Sequence, residues 1–131
     1  MNSQRPEKPT ASRGSITKRK AERITGLEVR RGVGKSWEAV DGDLVVASAS
    51  HSKETTCLTL LVNAVYKVRQ AEAFERDGHM CVYCGSRYRL STHHIIFRSH
   101  GRDDRTANLE TTCQDCHDDI HKGRLKVNTD E

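Results

Sequence analysis

Residues 81–121 read CVYCGSRYRLSTHHIIFRSHGRDDRTANLETTCQDCHDDIH, and the order of cysteines and histidines here decides how the rest is read. The stretch holds two Cys-x2-Cys pairs, Cys81/Cys84 and Cys113/Cys116. A turn within each pair brings both sulfurs to one side, so four thiolates can share one tetrahedral zinc. With no coordination position left open, that zinc is expected to be structural. The pairs are separated by 28 residues, longer than the roughly 15–20 of the common zinc-ribbon spacing. A pair of strands is therefore expected between the two knuckles.

The histidines follow the same logic. His117 and His121 stand four apart on a predicted helix from Gln114 to Lys122, which turns both imidazoles the same way. Alone, such a pair is as easily a solvated helix face. Here it accompanies His93-His94 on a predicted strand from Arg89 to Phe97, and Asn108 at the start of another, 108–112. Neighbouring strand residues point to opposite sides of the pleat, so His93 and His94 are expected to do different jobs. Between the strands, Arg98 to Arg105 reads as a polar loop with Gly101 at its centre.

A chain of 131 residues suits one domain with a tail. Charged residues at 31% and apolar ones at 34% leave little for a large core, so a zinc staple is in keeping with the composition. Four of five cysteines sit in metal-type pairs, which favours thiolate metal binding in a reducing compartment over disulfides. Cys57, in the apolar run CLTLLV, is expected to be buried and inert. No run approaches the roughly 20 apolar residues of a membrane span, and no charged-then-apolar leader opens the sequence. A soluble, cytoplasmic protein without membrane association is expected.

The net charge of +4 is unevenly placed. Residues 1–25 carry Arg5, Lys8, Arg13, Lys18, Arg19, Lys20 and Arg23 against Glu7 and Glu22, a local +5, which leaves −1 for residues 26–131. A basic arm on a nearly neutral body suits non-specific contact with a polyanion; the alternative is a solvated terminus.

The expected organisation is a disordered basic tail over 1–25, strands and a helix over 26–75, a metal-stapled core over 76–124, and a C-terminal tail over 125–131. Gly32, Gly34 and Gly42 punctuate short strands, of which DLVVAS is the best candidate. Residues 53–77 are expected to be helical, with Cys57, Leu61, Ala64/Val65, Val68, Ala71 and Phe74 as the apolar stripe. Ser52 is the expected N-cap, Gly78 the stop, and Tyr66 the point where the helix could break in two.

The segment from about Arg76 to Lys122, reading RDGHMCVYCG, then HHII, then NLETTCQDCHDDIHKG, resembles the HNH endonucleases, the ββα-metal or His-Me finger family. The resemblance covers roughly a third of the chain. It implies an α+β protein: a small ββα-metal core stapled by a four-cysteine zinc, preceded by a helix and a basic disordered tail. It implies DNA as partner and hydrolysis of its phosphodiester bonds, leaving 5′-phosphate and 3′-hydroxyl ends. By position, His94 matches the general base that deprotonates water, and Asn108 the residue that orients the active-site loop. His93, His117 and His121 match ligands of one catalytic divalent cation: Mg2+, Mn2+, Ni2+, Co2+ or Zn2+. Cys81, Cys84, Cys113 and Cys116 match the structural zinc. Arg98, Arg102 and Arg105, on the loop beside the base, are candidate clamps on DNA phosphates.

Two departures bear on loop shape: Phe97 stands where a proline is common, and HGRDD replaces a frequent double glycine. Residues 26–75 match no family pattern, and no recognition helix or base-reading motif is evident. The competing reading is a non-catalytic zinc-knuckle module that binds nucleic acid or protein. It accounts for the cysteines and the arm, and leaves the histidine–asparagine set unexplained. A third reading is an inactive HNH domain serving as a structural subunit.

Overall fold

The computed structural model describes residues 16–96 and 101–125. The chain divides into two compact units: residues up to Arg23 together with Leu27–Ala64, and Ile24–Gly26 together with everything from Val65 onward.

In the first unit, a short helix, α1 (Lys18–Thr25, whose last two residues belong to the second unit), precedes an antiparallel meander. Its strands are β1 (Glu28–Arg31), β2 (Ser36–Asp41) and β3 (Leu44–Ser50), in that order across the sheet. The helix corrects the expectation of disorder through residue 25. Thr17 Oγ1 accepts the Lys20 N–H at 3.1 Å, and Ala21 and Ile24, three apart, are buried. A cap and an apolar side were present within the basic run, and charge masked them. The rest of the expected tail, residues 1–15, lies outside the described residues.

The strand β2 alternates, burying Trp37 and Ala39. A bulge between Ala39 and Val40 then buries Val40 as well. Gly42, at φ +62°, leads the two-residue turn into β3, a position where a hairpin needs a residue tolerant of positive φ. DLVVAS thus becomes a strand as expected.

The long helix α2 (Glu54–Arg76) fills the predicted 53–77 and does not break at Tyr66. Its residues to Ala64 belong to the first unit, where Cys57, Leu58, Leu61 and Val62 are buried. Cys57 Sγ lies 3.2 Å from the Ala49 carbonyl oxygen, in keeping with an inert thiol. Beyond Val65 the expected stripe fails: Ala71 is exposed, and Val68 and Phe74 are only partly covered. There the helix contacts its sheet through polar groups. Tyr66 and Gln70, one turn apart, both reach Thr92 Oγ1, at 2.6 and 3.1 Å. The helix ends as Gly78 predicts. At φ +72°, Gly78 lets its own N–H reach the Glu75 carbonyl and the His79 N–H reach that of Phe74, the paired bonds of a Schellman cap.

The second unit is built on two antiparallel strands, β4 (Leu90–His94) and β5 (Leu109–Cys113), followed by α3 (Gln114–His121). The register pairs His93 with Glu110 and His94 with Leu109. A 3-10 turn, Thr106–Asn108, leads into β5. β4 is shorter than predicted: Ile95 still donates to the Asn108 carbonyl, but the Asn108 N–H turns back to the Arg105 carbonyl in the 3-10 turn, so the ladder ends there. The first knuckle hangs on β5 through the Val82 N–H, which donates to Thr111 O at 3.0 Å. Arg76 and Asp77 add a clip. The guanidinium grips the Asp77 carboxylate with two 2.8 Å bonds and donates to the Thr106 and Leu109 carbonyls. Asp77 Oδ2 in turn accepts the Thr111 N–H.

The protein is thus of mixed α+β class, with its four paired cysteines clustered. Among the described residues no helix is long and apolar enough to cross a membrane.

Candidate active site

The zinc knuckles follow from local backbone. Cys81 and Cys84 lie in a turn closed by Gly85 N–H to Cys81 O and Cys81 N–H to Ser86 O, with Gly85 at φ +80°. Cys113 ends β5 and caps α3, its sulfur accepting the Cys116 N–H. The four Sγ atoms lie within 4.8 Å of one another and none is in a disulfide. The Cys84–Cys113 separation is 3.6 Å, against about 3.8 Å for the edge of a tetrahedron with 2.3 Å zinc–sulfur bonds. Burial raises the Cys81 thiol, but N–H groups of Cys113, Cys84 and Tyr83 outweigh it and bring the pKa to about 7. Burial and neighbouring thiols push Cys116 upward. Zinc takes its cysteine ligands as thiolates, so binding here would release the protons these thiols hold.

The second cluster spans the sheet and the helix. His93, on β4, faces His117 and His121, which extend from α3 one turn apart. Ring centroids are 5.6 and 5.5 Å from His93, and 4.5 Å between the two helix residues. One nitrogen from each lies within 4.8 Å of the others. Burial, then the nearby histidines, lowers the His93 pKa to about 4. Burial and His121 also lower that of His117. Both rings are thus held in the neutral form that carries a lone pair, so the donor set suits a divalent cation.

His94 takes the other side of the pleat, as the alternation requires. It stacks on Tyr66, with centroids 5.8 Å apart and planes 10° from parallel. Its Nε2 lies 2.8 Å from Asp104 Oδ1. Asn108 ties the end of β4 to the following loop: its Oδ1 accepts the Ile96 N–H, and its Nδ2 donates to the carbonyls of Asp103 and Ile96.

The structure therefore brings His93, His117 and His121 together, sets His94 on the opposite face, and uses Asn108 as a brace. Two of the candidate phosphate clamps are paired with carboxylates of the same loop. Arg102 is bound to Asp104 through three contacts of 2.8–3.1 Å. Arg105 forks onto Asp103 at 2.8 and 3.0 Å. A neighbouring carboxylate balances each charge, and the Arg105 side chain is still 63% exposed. Arg98 lies outside the described residues.

Sequence reasoning missed Asp104 and Tyr66. Asp104 was visible only as half of an acidic pair in HGRDD, and nothing in the sequence marks which half is buried. Tyr66 reads as a point of weakness in a helix whose polar contacts do not follow apolar periodicity.

Compared with known proteins, residues 81–123 match the family model described as HNH endonuclease, about a third of the chain. No curated protein and no solved structure matches. Both clusters lie inside the matched segment, whose similarity to the HNH endonuclease family spans both sets of candidate metal ligands.

Proposed function

We propose that this protein is a metal-dependent endonuclease that hydrolyses DNA phosphodiester bonds. The observation that carries the reading is the division of labour on β4, with three imidazoles gathered on one face and a single carboxylate-bound imidazole on the other. Hydrolysis needs a base for water and a stabiliser of charge on the phosphate, on two separately tuned groups.

His94 is the base. It takes a proton from water as the water oxygen bonds to phosphorus, and the bond from phosphorus to the 3′ oxygen breaks. The departing oxygen then takes a proton from solvent. His93, His117 and His121 would hold a divalent cation, which supplies Lewis acidity toward the phosphate oxygens. Their three nitrogens leave positions for other ligands, whereas the four cysteines close theirs around structural zinc. Asn108 keeps the loop after β4 in place beneath the base.

The test is supercoiled plasmid incubated with the zinc-loaded protein, with and without Mg2+, Mn2+, Ni2+ or Co2+. Nicked or linear product should form only with added divalent metal, and His117→Ala should abolish it while DNA binding persists. Intact plasmid in every metal, with binding retained, would return the protein to the class of zinc-knuckle binding modules.

A further inference from the structure

We propose that Asp104 is the positioning residue of the site: its carboxylate holds His94 as the Nε2–H tautomer and so leaves Nδ1 as the nitrogen that accepts a proton. The inference rests on His94 acting as the base and adds which atom acts and what orients it.

The side chain of Asp104 has no exposure, and its backbone is fixed as well, because its N–H donates to the Ile24 carbonyl at 2.9 Å. Gly26, two residues on from Ile24, passes close to the same loop. A Cβ there would lie 2.6 Å from Arg105 Cδ, and φ is +73°. The segment 24–26 thus seats the 103–105 loop. Asp104 Oδ1 receives His94 Nε2 at 2.8 Å and Arg102 Nε at 3.1 Å, while Oδ2 receives Arg102 Nη2 at 2.8 Å. Burial alone would raise the carboxyl pKa, but its partners lower it, and the Arg102 guanidinium, which donates to both oxygens whatever the tautomer of His94, keeps the group ionised. An ionised carboxylate only accepts, so the imidazole nitrogen facing it must carry the proton. The two ring nitrogens of neutral imidazole share one proton, and the lone pair falls to Nδ1. Stacking on Tyr66 fixes the ring plane, and the carboxylate fixes rotation within it.

A sharp test comes from Asp104→Asn, which keeps the shape and changes the donor pattern. Arg102 can only donate, so it takes the single amide oxygen and turns the NH2 of the new side chain toward His94. Nε2 must then accept, and the proton moves to Nδ1. Long-range proton–nitrogen NMR on the zinc-loaded full chain, at a pH where His94 is neutral, should show Nε2–H in the wild type and Nδ1–H in Asp104→Asn. On plasmid, kcat should fall by roughly a hundred-fold or more with KM nearly unchanged. Adding Arg102→Met to Asp104→Asn frees the amide oxygen to turn toward His94, and should restore the tautomer and about ten-fold in kcat. A residue that merely held the loop would show the reverse, since deleting Arg102 would make matters worse. An Nδ1–H wild type overturns the inference outright, and so does an Asp104→Asn variant with unchanged tautomer and rate. Should Asp104→Asn fail to fold, the wild-type tautomer still decides. A wild type that cleaves no DNA refutes the nuclease reading separately, and leaves the tautomer to judge Asp104.

Discussion

Replacing Cys113 by serine separates two jobs that one sulfur performs. Cys113 lies in the cluster of four thiols, and it also caps α3 by accepting the Cys116 N–H. Serine is among the best N-cap residues, so the capping contribution of about 1 kcal/mol survives the exchange or improves. Ligation does not survive. Structural zinc contributes about 10–16 kcal/mol to folding in small domains, so one ligand in four represents roughly 2.5–4 kcal/mol. Among its described residues the second unit has few buried apolar side chains besides its cysteines to absorb that loss: Ile24, Val65, Ala73, Leu109 and Ile120. Against a typical total of about 5–15 kcal/mol, the weakened site leaves little margin at the low end, and loss of the whole zinc contribution of about 10–16 kcal/mol exceeds most of that range. Urea denaturation followed by far-ultraviolet circular dichroism measures the loss, and a chromophoric chelator counts zinc. Trp37, the single tryptophan, lies in the first unit and gives that unit its own fluorescence signal. The variant should lose its zinc and unfold at much lower urea. A Cys113→Ser protein within about 0.5 kcal/mol of wild type would refute the claim that metal holds this unit together.

Further outcomes follow from burial and charge. Leu61→Ala, at a position with no exposure, should cost about 2–5 kcal/mol in a thermal or urea melt. Leu60→Ala, at 44% exposure one residue away, should change stability by less than about 0.5 kcal/mol. Asp104 and Asp77 have pKa values lowered in the folded state: burial raises that of Asp104, but bonds from His94 and Arg102 prevail, while the Arg76 bond leads for Asp77. Their stabilisation is therefore fully present above the ordinary value of 3.8 and lost as pH falls through the lowered folded values, so a pH titration of stability should drop there. Glu110 has the opposite sign. Burial raises its pKa, so it favours folding below 4.5 and loses that contribution as pH rises. Glu110→Gln can still accept the Tyr83 hydroxyl, and should raise the melting temperature at neutral pH.

The parts of this fold that were legible beforehand are those where side-chain chemistry repeats at a fixed spacing. Cys-x2-Cys, H-x3-H and the adjacent histidines carry their geometry in their intervals, so both clusters and the opposed faces of β4 could be read directly. Helix α2 was legible in extent because Gly78 marks its stop. Its stripe beyond Val65 was not, because Tyr66 and Gln70 contact Thr92 by hydrogen bonds that leave no apolar period. α1 was hidden by its lysines and arginines, whose charge says nothing about the buried Ala21 and Ile24 beneath. Asp104 was hidden for a different reason. Its burial depends on a carbonyl 80 residues earlier in the chain, at Ile24, a long-range contact that no local pattern encodes.

The nuclease account is tested most directly by the initial rate of plasmid nicking for His94→Ala beside wild type, in the divalent metal that supports the highest activity. The account predicts a rate lower by roughly a hundred-fold or more, with zinc content, melting temperature and DNA affinity close to wild type. Equal rates for the two proteins would contradict it, because the water would then lose its proton to something other than the imidazole that Asp104 holds.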